Sequence, residues 1–90
     1  MNLSAYLKPL SEPERLAFAM RCGTTWNHMR NVAYSGKPCG VLLAVNVERE
    51  TGAQVRRWEM RPLDWHLIWP ELVGAEGAPQ VLTEEVRNAA

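Results

Sequence analysis

The stretch RLAFAMRCGTTWNHMRNVAY, from Arg15 to Tyr34, constrains most what this chain can fold into. It reads as a short apolar helix, a glycine turn and a second helix with a polar outer face. Ala19, Gly23, Met29 and Val32 stand at the spacings of a helix-turn-helix. Ala19 is small enough for a close helix crossing. Gly23 can adopt the tight turn without a Cβ penalty. Met29 and Val32 are placed to hold the second helix against the first. On a helical wheel Asn27, Arg30, Asn31 and Tyr34 share the opposite side, at i, i+3, i+4 and i+7.

The flanking sequence supplies further helices. Asn2 is placed to cap a first helix with Leu3, Tyr6, Leu7 and Leu10 on its apolar side, and Pro9 is expected to end or bend it. Ser11 and Glu14 have capping-box spacing, and Pro13 falls in the first turn of a helix running to about Arg21. That helix is apolar on several sides (Leu16, Phe18, Ala19, Met20, Cys22), which predicts a central position. Thr24 is placed to cap a helix from Thr25 to Tyr34, and Ser35-Gly36-Lys37-Pro38 stops it. A fourth helix is predicted from Val41 to Thr51, with Leu43, Ala44 and Val47 inward and Gly52 at its end. The segment 53–60 loosely alternates and suits a short strand or extended arm. Pro62 can open another short helix carrying Trp65, Ile68 and Trp69. The segment 74–80 is rich in Gly, Ala and Pro and reads as a linker, with one or two weak helical turns from Val81 to Ala90. The expectation is an all-α fold of four to five helices over residues 1–73, with one short C-terminal strand possible. Residues 74–90 are expected to form a flexible acidic tail.

Ninety residues suit one small domain, which buries only about 60 to 65% of its unfolded surface. Dimerisation would add to so modest a core. The two cysteines, Cys22 and Cys39, make no disulfide framework and read as reduced thiols of a cytosolic protein. No apolar run has membrane-spanning length, and neither a metal site nor a cofactor motif is apparent. Neither His28 nor His66 has a carboxylate or cysteine at catalytic spacing, so the chain is not expected to be an enzyme.

Formal net charge is zero, but it is unevenly spread. Between Arg15 and Val47 lie Arg15, Arg21, Arg30 and Lys37 and no acid, whereas Asp64, Glu71, Glu76, Glu84 and Glu85 crowd the C-terminal third. A basic centre with an acidic tail fits one face turned to phosphates.

The residue types on the polar helix face match base reading. Asn pairs bidentately with adenine and Arg with guanine, so Asn27, Arg30 and Asn31 are candidate base readers. Thr25 and Trp26, at the helix start, join them. Arg15, His28, Tyr34 and Lys37 are candidate phosphate contacts. Trp58, Trp65 and Trp69 form a dense aromatic group that either caps a small core or anchors a dimer or partner surface.

The opening MNLSAYLKPLSEPERLAFAMRCGTTW, the central AYSGKP, VERETG, and RRWEMRPLDWHLIWPEL resemble YdaS-type antitoxins, which are Cro/CI-like (lambda-repressor-like) transcriptional regulators of prophages and bacterial chromosomes. The resemblance covers roughly residues 1–72, and RPLDW followed by IWPEL is its most specific part. It implies a compact helical DNA-binding domain that can carry a small strand near Val55, and places Thr25, Trp26, Asn27, Arg30 and Asn31 outward on the recognition helix. It also implies a bacterial cytoplasmic repressor acting on double-stranded operator DNA as a homodimer. The alternative it carries is an antitoxin that grips a partner toxin through its Trp-rich C-terminal half. Two departures stand out. Cys39-Gly40-Val41 replaces the Ser-Pro that often opens the fourth helix, which weakens that cap. Trp26 is bulky for a groove position and can pack sideways instead.

Overall fold

Each of the first three helices opens on a side-chain cap. The computed structural model describes residues 1–36 and 38–81. Asn2 Oδ1 accepts the Ala5 amide at 2.8 Å and opens α1 (Leu3–Leu7). Ser11 opens α2 (Glu12–Arg21) through a reciprocal box. The Glu14 amide donates to Ser11 Oγ at 3.3 Å and the Ser11 amide to Glu14 Oε1 at 2.7 Å.

The chain leaves α2 through Gly23 at φ +81°. The Gly23 amide donates to the Met20 carbonyl at 2.9 Å and the Thr24 amide to the Ala19 carbonyl at 3.0 Å. This is a Schellman closure, and it needs the left-handed residue at Gly23. The cap of α3 (Trp26–Ser35) falls one residue later than expected. It is Thr25 Oγ1 that accepts the His28 amide, at 3.1 Å. Gly36, at φ +78°, ends α3.

The fourth helix, α4 (Val41–Glu50), starts at Gly40 with no side-chain cap, in keeping with the weak start read from Cys39-Gly40-Val41. It ends on a second Schellman closure. The Gly52 amide bonds Arg49 O at 3.2 Å and the Ala53 amide bonds Glu48 O at 2.8 Å.

Beyond this point the structure departs from the sequence reading. Among the described residues there is no strand, and six α-helices are present rather than four to five. The expected arm after Ala53 becomes α5 (Arg57–Met60), followed by α6 (Trp65–Ile68) and a 3-10 turn at Pro70–Leu72. Two carboxylates explain the change. Glu59 Oε2 accepts the Arg56 amide at 3.1 Å and Glu48 Oε2 the Arg57 amide at 3.2 Å, so amides that a strand would have offered to a neighbour are satisfied locally.

The core runs through all the helices. Leu7, Phe18, Met29, Val47 and Val55 are fully buried, joined by Leu3, Ala19, Ala44, Met60 and Leu72. The second helix is less central than its composition suggested. Phe18 and Ala19 are buried, but Met20 is 78% exposed and Leu16 49%. The segment 74–81 is no detached linker: Ala78 and Val81 pack against the core cluster. The weak helical turns expected from Val81 to Ala90 and the acids Glu84 and Glu85 fall, Val81 aside, outside the described residues. No helix among those described is long and apolar enough to cross a membrane.

Candidate nucleic-acid interface

The third helix has two unlike sides. Met29 is fully buried, and Val32 and Ala33 pack on the core. Thr25, Asn27, His28, Arg30, Asn31 and Tyr34 are exposed. The helix is therefore anchored along one side and presents a polar stripe along the other. Arg30 Nη2 donates to Asn27 Oδ1 at 2.9 Å, so two candidate readers are already oriented toward each other. Thr25 is spent in part, because its hydroxyl oxygen caps the helix, although its O–H can still donate.

Trp26 does not stand in the stripe. It is half-buried against the core, and the Arg15 guanidinium lies 5.5 Å from its ring centroid. This corrects its assignment as a base reader and agrees with sideways packing. Arg15 is likewise not a free phosphate ligand. Its Nε donates to Leu7 O at 3.2 Å and its Nη2 to Lys8 O at 3.0 Å. Those bonds satisfy the last carbonyls of α1 and clamp α1, α2 and the start of α3 together. Lys37 lies outside the described residues.

The basic centre read from the sequence is narrower in three dimensions. Arg56 and Arg57 are both paired with Glu48, at 2.8 and 2.9 Å. Arg21 and Arg49 meet Glu50, each at 3.2 Å, and Arg61 meets Asp64 at 2.7 Å. Among the described residues Lys8, Arg15 and Arg30 are in no ion pair. Lys8, missed in the sequence reading, follows α1 directly and adjoins Arg15 through its carbonyl. Only the fold brings Arg15 onto the Lys8 carbonyl, seven residues back along the chain, beside Trp26.

The tryptophans belong to the interior. Trp58, Trp65 and Trp69 are 7%, 3% and 8% exposed, which corrects their assignment as a dimer or partner surface. Trp58 and Trp65 meet edge to face with centroids 5.6 Å apart. Arg56 lies 4.4 Å from the centroid of the Trp58 ring and Arg57 5.2 Å from that of Trp69. Glu48 joins both arginines to α4, so the Trp-rich segment is riveted to the domain by one carboxylate.

The buried thiols offer no nucleophile. Burial pushes the Cys22 thiol up to about 11 and raises that of Cys39 as well, which keeps both protonated at neutral pH. Among the described residues no group of three or more His, Cys, Asp or Glu side chains could hold a metal ion. No family model matches the chain, and no curated protein matches its sequence.

Proposed function

We propose that this chain is a sequence-specific reader of double-stranded DNA, a transcriptional repressor in which α2 and α3 form a Cro/CI-like helix-turn-helix. The third helix is its recognition helix. The observation that carries the reading is the exposed run Asn27, Arg30, Asn31 and Tyr34 on a helix whose reverse side is locked by fully buried Met29. A rigidly held helix with amide and guanidinium groups in one line suits the major groove, where Asn reads adenine and Arg reads guanine. Asn27, Arg30 and Asn31 read bases, Thr25 offers its O–H at the helix start, and His28 and Tyr34 meet the groove walls. Lys8, with Arg15 behind it, faces phosphates near the N-terminal end of α3. Glu12 and Glu14, exposed in the first turn of α2, keep phosphates away from that helix end.

One recognition helix reads a few base pairs, so a homodimer would engage two half-sites about 34 Å apart. Repression follows from occluding a promoter, the chain's own included. The rival role, a toxin gripped by Trp58, Trp65 and Trp69, would require three buried rings to leave the core, and no observation favours it.

The test is binding to DNA from upstream of its own gene against scrambled DNA, across a salt series. Selective binding is expected. Binding should weaken as salt rises, with a log–log slope of about −0.9 for each phosphate contact made. The Arg30→Ala variant should lose about 1 to 3 kcal/mol of specific affinity with its thermal unfolding unchanged. Equal affinity for both DNAs, or full affinity in Arg30→Ala, would remove α3 as the reading surface.

A further inference from the structure

Donors and acceptors are not evenly shared along the polar stripe of α3. Arg30 Nη2 donates to Asn27 Oδ1 at 2.9 Å, so the amide oxygen of Asn27 is turned to the guanidinium. One N–H of Arg30 is used there, and the others stay available. Thr25 Oγ1 is likewise engaged as an acceptor, by the His28 amide at 3.1 Å, which leaves its O–H to give. The first amides of α3, those of Trp26 and Asn27, have no carbonyl behind them within the helix. The N-terminal half of the stripe therefore offers donors, while the side-chain oxygens of Thr25 and Asn27 are taken within α3.

This imbalance bears on which base that end can meet. In the major groove guanine shows two acceptors, O6 and N7, whereas adenine shows N7 beside an amino donor. A bidentate contact from Asn to adenine needs the amide oxygen for that amino group. Here the amino group would approach the same oxygen alongside the Arg30 guanidinium, donor against charged donor. Guanine meets no such conflict, because its two acceptors face two N–H groups of a guanidinium already held in place. The bond joins neighbours at i and i+3 on an exposed helix face, so it forms before DNA arrives. It spares Arg30 part of the ordering that a free side chain would lose on binding.

We infer that Asn27 and Arg30 act as one unit with guanine as its base. Arg30 reads O6 and N7, and Asn27 is the positioning residue that aims it rather than an independent reader of adenine. The inference rests on the DNA-reading proposal and deepens it at this face, leaving adenine to Asn31. Its consequence is a half-site in which Asn27 and Arg30 answer to one guanine, where independent readers would answer to an adenine and a guanine.

The test is selection of bound sequences from a random-sequence duplex library by the full chain and by its variants Asn27→Ala, Asn27→Asp and Arg30→Ala. A guanine is expected at one position of the wild-type half-site, and Asn27→Ala and Arg30→Ala should both relax that same position. Asn27→Asp keeps an oxygen for Arg30 and should keep the guanine, while binding more weakly overall because it brings an acid near phosphates. On the selected duplex, 7-deazaguanine at that position lacks N7 and should weaken wild-type binding about tenfold, with no effect on Arg30→Ala. Inosine keeps O6 and N7 and should bind as guanine does. The losses from Asn27→Ala and Arg30→Ala should not add in the double variant. Both side chains are exposed, so circular dichroism melts should match wild type. If Asn27→Ala instead relaxed a separate adenine position, or if the two losses added, the inference would fall while DNA reading by α3 stood. If the wild-type chain selected no sequence at all, both would fall.

Discussion

Gly23 shows how one residue positions the candidate interface. Its φ of +81° is left-handed, and a Cβ added there would sit 3.7 Å from Asn46 Nδ2, an ordinary contact. Space is therefore available, and the demand for glycine is conformational alone. Asn46 Nδ2 meanwhile donates to Cys22 O at 3.0 Å, tying the turn to α4. Gly23→Ala should cost about 1 to 2 kcal/mol, the left-handed penalty of an L-residue. Urea unfolding should show a lower midpoint with an unchanged slope. A changed slope would mean that the turn had rearranged rather than strained. Glycine at this position and Ser11/Glu14 at the start of α2 are local requirements, which is why both were legible in the sequence. The engagement of Arg15 with α1 was not, because nothing in local spacing shows where a guanidinium will find free carbonyls.

At the scale of elements, the junction after α4 depends on Thr51, a buried polar residue at 3% exposure. Its hydroxyl donates to Glu48 O at 3.3 Å and accepts the buried Val55 amide at 3.1 Å. Thr51→Val keeps the shape and orphans that amide, so stability should fall by about 1 to 3 kcal/mol. Differential scanning calorimetry would read this as a drop of several degrees in Tm, about 4 to 8 °C per kcal/mol for a domain of this size. An unchanged Tm would mean that the Val55 amide finds another acceptor. The same junction explains the missing strand. Alternation over 53–60 is a true property of the sequence, but a strand also needs a neighbour to pair with, and Glu48 and Glu59 take the amides first. Glu48 is seven residues before Val55, beyond the reach of a period-2 pattern.

For the whole molecule, charge pairing governs both acid stability and the reach of the interface. The Arg61 guanidinium, bonded to Asp64 at 3.0 and 2.7 Å, holds its carboxyl below the ordinary value. Hydrogen bonds from the Ser11 backbone amide and side chain do the same for Glu14. A carboxylate lowered in the folded state contributes stability above its unfolded value and loses it as pH falls through the folded one. Unfolding free energy should therefore be level near neutrality and decline below about pH 4. Asp64→Asn should flatten part of that acid limb. A limb identical to wild type would show that the Arg61 pair adds nothing. Among the described residues the pairing also draws Arg21, Arg49, Arg56, Arg57 and Arg61 toward carboxylates, so under the DNA-reading proposal base contacts from α3 would carry more of the operator affinity than a broad basic face.

Helix content, the glycine turn, the caps at Asn2 and Ser11 and the two-sidedness of α3 were all determined by the sequence, because each follows from interactions within a few residues. Tertiary structure alone decided that Trp58, Trp65 and Trp69 lie inside, that Trp26 packs sideways under Arg15, and that Arg56 and Arg57 share the Glu48 carboxylate. Burial and ion pairing depend on which distant surfaces meet, and an aromatic or charged residue has the same local signature whether it faces solvent or the core.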